Sequence, residues 1–483
     1  MPNAPGIIQK LMLVGLEHLK SGRMEGAERC FGDVLAREAN PTVEILLATM
    51  LPPVYRSNAD LLAWRERFAR QLDALRERSV SVDLETSLAV PVFATAYQGF
   101  DDLELHRKLT ALYRPPADPT VSSRTRDGRI KVGFISSYFR EHTIGRLNYG
   151  IIEQLDRDAF HVTVISAGRP SDALGTLYRQ RADETLDISA DLTASRAAIA
   201  NLGLDILVYT DLGMEPLTYT LAFSRLAPVQ CTTWGHPDTT AIPAIDYFLS
   251  SEDLDADHAQ RFYSEKLVRL KLPAVWYHRP APPTHAKTRF DFGLPDDATL
   301  YGCPQTLFKF HPDFDPILAG ILRSDPRGLL VMIKPPHRPM EQTLVGRWQS
   351  TMPDVLDRVR WVPRQDREGF LSLNLACDVL LDPIHFGGGN TSYEAFAMGA
   401  PIVTWPSAFL RGRITYAQYR MMGVEECVVR SPAEYAETAL RLGREAGFRQ
   451  AVREKILAAS GTLFENAQAV RGLEAFFKSC VRG

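Results

Sequence analysis

The sequence predicts an α/β protein: two doubly wound, Rossmann-like domains preceded by an all-α domain. Three observations carry this. From residue 130 onward, short apolar runs alternate with helical patterns, as in parallel sheets covered on both faces. A proline-rich segment, residues 273–283, splits that alternation into two blocks. Before residue 114 the apolar spacing is helical throughout. The expected domains are 1–120, 128–285 and 286–483.

In the helical part, Val14, Gly15, Gly22, Ala27, Phe31 and Leu35 are spaced as in one tetratricopeptide repeat. Small residues stand where paired helices touch, and Phe31 stands where the next pair packs. A single repeat cannot bury its own faces, so a cap packed on the next domain is favoured over a free peptide-binding superhelix. Residues 114–128, rich in Pro, Ser and charge, read as a linker. Strands follow at 130–136, 162–166, 206–209 and 229–233, with helices between them. The second block has strands at 300–304, 328–333, 359–362, 379–382, 402–404 and 427–429. Residues 432–477 are helical, with a terminal helix able to cross back.

Composition narrows the function. Hydrophobic residues are 45% and charged residues 23% of 483, as in an ordinary soluble globular protein. A net charge of −3 gives no reason to expect nucleic acid or an anionic membrane as partner. No run reaches the roughly 20 apolar residues of a membrane span, and the N-terminus reads as a helix, not a signal peptide. The six scattered cysteines lack a CxxC pair and fit reduced thiols in a cytoplasmic protein. The eleven histidines show neither HxxxH nor HExxH, so no metal is expected.

The chemistry gathers at strand ends. Residues 377–407 read as strand, glycine loop, helix, strand: a βαβ unit with Gly387, Gly388 and Gly389 before a helix that begins near Thr391. Glycines there let backbone N–H groups approach an anion such as a diphosphate. Glu394, about one turn on, can accept from ribose hydroxyls. The alternative is a tight structural turn. After the first strand of the second block, Lys309 can neutralise a leaving diphosphate and Gln305 can read a base or a sugar. In the first block His142 follows a strand and can relay a proton or cap a helix. His236, in the turn Trp234–Pro237, is expected to face the cleft or else to hold the turn. Asp211 stands at another strand end, where it can orient His142 or receive a proton. Arg411 and Arg413 are read as structural.

The blocks KVGFISSYFREHTIGRL, LAPVQCTTWGHPDTT, IDYFLSS, YSEKLVRL, FKFHP and GGGNTSYEAFAMGAPIVT, in that order, resemble glycosyltransferase family 41. That family holds the protein O-GlcNAc transferases, the related O-fucosyltransferases and the bacterial adhesin-type N-glucosyltransferases. The resemblance spans about residues 128–445, and the tetratricopeptide-like helices fit it. It implies a GT-B fold and inverting, metal-independent transfer from a nucleotide sugar, UDP-GlcNAc or UDP-glucose, to a Ser/Thr or Asn side chain of a protein. By position, Lys309 matches the diphosphate-binding lysine, Glu394 the ribose-holding acid, and Gly389, Asn390 and Thr391 the phosphate-binding loop and helix start. His142 matches the histidine discussed as base or acceptor-positioning group, and His236 lies in the GHP block of bacterial members. Tyr138 stands where animal members have an acidic residue, and Glu394 where they have Asp. The implied partners are the nucleotide sugar and a protein acceptor docked on the N-terminal helices. The rival readings are a non-catalytic scaffold and a transferase acting on a glycan.

Overall fold

The computed structural model describes residues 4–121 and 128–482. The centre of the expected linker, 122–127, lies outside them. Five helices build the first domain: Ala4–Ser21, Met24–Leu35, Pro41–Thr49, Asn58–Glu77 and Leu103–Thr110. Asn40 and Ser57 cap the third and fourth by accepting from the N–H groups of Val43 and Asp60. The first two pair as the repeat spacing predicts: a Cβ on Gly15 would come within 2.5 Å of the buried Phe31 ring. A two-stranded parallel ribbon, β1 (Val82–Asp83) with β2 (Tyr113–Arg114), closes the domain. Phe68, Leu72, Leu105 and Leu109 share one apolar cluster with Leu207 and Tyr209 of the second domain. The helical domain is thus fused to its neighbour through a common core.

The second domain is a seven-stranded parallel sheet. Its strands are β3 (Ile130–Ser136), β4 (Phe160–Ala167), β5 (Glu184–Ile188), β6 (Ile206–Tyr209), β7 (Val229–Thr233), β8 (Tyr247–Ser251) and β9 (Lys266–Leu270), in the order β5-β4-β3-β6-β7-β8-β9. The sequence reading marks no strand at β5, β8 or β9. β5 (ETLDI) and β9 (KLVRL) are edge strands, half covered, so charges replace the continuous apolar run that a central strand shows. β8 ends in two buried serines, which weakens its apolar signal.

The third domain repeats the plan with β10 (Thr299–Gly302), β11 (Gly328–Ile333), β12 (Val359–Val362), β13 (Val379–Leu381) and β14 (Ile402–Val403), ordered β12-β11-β10-β13-β14 and all parallel. The strand expected at 427–429 is a correction: only a bridge from Thr404 to Val428 forms, because Ser431 caps the helix Pro432–Arg444 immediately afterwards. The last helix, Ala467–Arg482, is grouped with this domain by the sequence reading. It packs Val470, Leu473 and Phe477 onto the first sheet beside Phe134 and Phe160. The Asp156 N–H donates to Glu474 at 2.8 Å to fix it there.

Candidate active site

Each sheet reverses its strand order once, between β3 and β6 and between β10 and β13. Ligands of open α/β sheets bind outside the strand ends at such switch points. The loops leaving those four strands carry His142, Asp211, Lys309 and the glycine triplet.

In the third domain the Lys309 ammonium donates to Gln305 Oε1 at 2.9 Å and to the Gly387 carbonyl at 2.7 Å, and it lies 5.0 Å over the Phe386 ring. An ammonium has three donors, so one is left for a ligand. Gln305 Nε2 donates to Thr391 Oγ1 at 2.9 Å, joining the lysine to the first turn of helix Asn390–Ala397. The first N–H groups of a helix lack intrahelical acceptors and carry its positive end. The buried Asp382 accepts from the Gly388 N–H at 2.6 Å and from Thr404 at 2.8 Å, pinning the loop between strand and helix. Burial lowers the Lys309 pKa to about 8, with Asp382 pulling the other way. Glu394 is 4% exposed. Burial raises its pKa, while Arg146 at 3.9 Å and Arg367 at 3.7 Å oppose the shift. Arg146 belongs to the second domain, so this contact crosses the cleft. Tyr277 of the interdomain segment donates to Asn390 Oδ1 at 2.6 Å and stacks on Tyr393.

On the opposite wall His142 is the N-cap of helix Thr143–Gln154. Its Nδ1 accepts the Ile144 N–H at 3.2 Å, and its ring stacks on Tyr138. Burial, then Arg140 and Arg146, push its pKa down to about 4. The neutral ring therefore carries its proton on Nε2, and the nitrogen left free is a donor. Asp211 is 1% exposed and accepts from Thr210 Oγ1 at 2.6 Å. Burial raises its pKa to about 7. No contact joins it to His142 among the described residues. His236, expected to face the cleft, instead lies buried under Phe93 of the helical domain, donating from Nδ1 to the Leu212 carbonyl at 2.7 Å. The fold thus unites Lys309, Gln305, Thr391 and the glycine loop, sets Glu394 and His142 near Arg146 across from one another, and places Asp211 and His236 behind the wall.

The sequence profile described as Glycosyl transferase family 41 matches residues 98–277 and 281–473, well over half the chain. The chain belongs to glycosyltransferase family 41. A probable UDP-N-acetylglucosamine–peptide N-acetylglucosaminyltransferase of Arabidopsis thaliana is 24% identical over 86% of this chain and 45% of its own length. A UDP-glucose:protein N-beta-glucosyltransferase of Actinobacillus pleuropneumoniae is 25% identical over 63% of this chain and 49% of its own. The chain thus spans less than half the length of these curated relatives. Among solved structures, a variant O-GlcNAc transferase of Thermobaculum terrenum superposes with a TM-score of 0.72 at 24% identity, covering 99% of this chain and 98% of that one. At that identity it establishes the fold, which is GT-B.

This family 41 chain has further site features that sequence reasoning missed. A cavity of about 460 Å³ opens beside Gln305 and is lined by Phe308, Lys334, His337, Arg364, Gln365 and Phe370. Arg364 and Gln365 follow β12 after Pro363, so their place at a strand end was the available signal. Tyr277 and Arg146 gave none, because only the meeting of two domains brings them to the helix start and to Glu394. Arg411 takes the structural role expected of it. It is buried between Asp102 of the helical domain at 3.1 Å and Asp238 of the second at 3.3 Å.

Proposed function

We propose that this chain is an inverting, metal-independent glycosyltransferase that moves a hexose, GlcNAc, glucose or a similar sugar, from UDP to a Ser/Thr or Asn side chain of a protein. The observation that carries the reading is the Lys309–Gln305–Thr391 chain, which ties the ammonium to the helix start at a strand end. A diphosphate fits there. The adjoining cavity has room for a nucleoside, with Phe370 for stacking and Gln305, Arg364 and Gln365 for polar contacts.

The acceptor hydroxyl or amide attacks the anomeric carbon as the C–O bond to the diphosphate breaks on the opposite face, and the acceptor's proton passes to a phosphate oxygen or to water. Lys309 and the N–H groups at Asn390–Thr391 stabilise the charge that builds on the departing diphosphate. Loss of one such donor raises a barrier by about 2.7–4 kcal/mol at comparable sites. Glu394 holds the ribose. His142 donates from Nε2 to acceptor or sugar and does not abstract a proton. Asp211 and His236 support the loops around it. Between helices Ala4–Ser21, Met24–Leu35 and Asn58–Glu77, a cavity of about 490 Å³ containing Trp64, Arg23 and Arg29 offers the acceptor protein a docking surface. The six cysteines are free, in keeping with a cytoplasmic enzyme. Among the described residues no helix is long and apolar enough to cross a membrane.

The decisive experiment is mass spectrometry of proteins co-expressed with this chain. A hexose or N-acetylhexosamine mass shift is expected with the wild type and not with Lys309→Ala. Equal modification by the two would sink the assignment.

A further inference from the structure

The loops that carry Lys309 and the glycine triplet also carry His311, Asp313 and His385. Asp313 Oδ2 lies 3.0 Å from His385 Nε2 and 3.3 Å from His311 Nδ1. The two imidazole rings stand edge to face with centroids 4.3 Å apart, and all three donor atoms lie within 4.8 Å of one another. A tetrahedral ion with bonds of about 2.0–2.1 Å separates its ligand atoms by roughly 3.3 Å, and the two spacings to Asp313 Oδ2 are close to that.

The hydrogen bonds around the cluster orient it for a cation. The Asp313 N–H donates to His311 Nδ1 at 3.1 Å, so that nitrogen carries the ring's lone pair beside Asp313 Oδ2, and an ion binds it in exchange for this bond. Two acceptors therefore face each other at 3.3 Å. Asn58 Nδ2 donates to Asp313 Oδ1 at 2.7 Å and leaves Oδ2 turned to the histidines. Outer partners of this kind orient metal-binding carboxylates. The His385 ring is held against the helical domain, where a Cβ on Gly99 would meet its Nδ1 at 2.7 Å. Asp313 is 46% and His385 24% exposed, which leaves one side open to water and to an incoming ion.

We propose that His311, Asp313 and His385 form a zinc site, with water as fourth ligand, that clamps the Lys309 loop and the glycine loop to the helical domain. Two imidazoles and one carboxylate suit zinc. Magnesium and calcium prefer all-oxygen sets. The site lies where those two loops meet Asn58 and Gly99 of the helical domain, so its role is to hold them in place.

The test needs no sugar donor. The full chain, stripped with a chelator, is titrated with Co²⁺ and then with Zn²⁺. Expected are the intense visible bands of four-coordinate cobalt, their loss on adding zinc, one zinc per chain by dialysis, and a higher Tm with zinc. His385→Gln keeps a donor for Asp313 but cannot ligate through an imidazole, and it should abolish the bands. Asn58→Ala keeps all three ligands and should weaken zinc roughly 10–100-fold. Circular dichroism of the stripped variants separates loss of metal from loss of fold. Zinc affinity unchanged in a folded His385→Gln, or only the pale spectrum of hydrated cobalt with the wild type, overturns the proposal in favour of a metal-free hydrogen-bonded cluster.

Discussion

Under the proposed function, the burial of Lys309 gives UDP binding a pH dependence at the scale of one residue. With its pKa lowered to about 8, chiefly by desolvation, its charge is present below that pH and fades above it. UDP affinity should be level from about pH 6 to 7.5, then fall, and binding at about pH 8.5 should take up a proton. Calorimetry in two buffers of different ionisation enthalpy measures this, and a flat profile would assign the phosphate charge to another group. The stability effect has the opposite sense. Between about pH 8 and 10.5 the unfolded chain binds more protons at this lysine than the folded one, so its contribution to stability rises with pH there. His142 caps its helix through Nδ1, which leaves Nε2 for the donor role proposed for it. His142→Ala should cost about 0.5–2 kcal/mol of stability, while His142→Asn, a good capping residue, should cost little. Both should lose turnover. Equal losses of Tm would remove the cap from the account.

At the scale of the element, the backbone of the glycine loop passes close to the helix start. A Cβ on Gly388 would lie 2.2 Å from Ser392 Oγ and 2.8 Å from Thr391 Oγ1. Overpacking of this kind costs about 1–3 kcal/mol, and here it must displace the threonine that holds Gln305. Gly388→Ala should therefore lower UDP affinity at least about tenfold, while uridine affinity changes less, because the damage lies on the phosphate side. Gly346 is the control. It lies within helix Arg338–Thr351, where a Cβ meets nothing within 4 Å, and Gly346→Ala should gain up to about 1 kcal/mol with unchanged binding. Titration calorimetry with both ligands reads the difference. Comparable losses of the two ligands in Gly388→Ala would count against the phosphate role of the loop.

At the scale of the molecule, buried charges join the domains. Arg347 makes two bonds of 2.8 Å to Asp315, and its Nη1 also donates to the Tyr55 carbonyl of the helical part at 2.7 Å. Arg411 reaches Asp102 and Asp238 and donates to the Phe100 carbonyl as well, while Arg65 pairs with Asp102 at 2.6 Å. Removing one partner strands the other charge in the interior. Arg347→Met should cost about 3–5 kcal/mol, and the double change with Asp315→Leu should recover much of it. Urea denaturation of the three proteins checks this. A double variant no better than the single one would show that packing, not the stranded carboxylate, is responsible. With the helical domain pinned on both sides, it acts as a wall of the cleft and not as a free arm.

The glycine loop, Lys309 and the central strands were legible because their signals are local: an apolar run, a turn and a helix start. The strands β5 and β9 were hidden because an edge strand is covered on only part of its surface and keeps its charges. His236 looked like a cleft residue because its turn comes directly after a strand, but Phe93, over a hundred residues earlier, buries it. By itself the sequence determined two parallel sheets, a helical cap and a glycine loop beside a lysine, since each arises from neighbours along the chain. Only the tertiary structure decided that His236 is buried, that Arg146 meets Glu394, and that His311, Asp313 and His385 converge. Those outcomes depend on how three domains pack, and packing brings together residues whose separation in sequence carries no local signal.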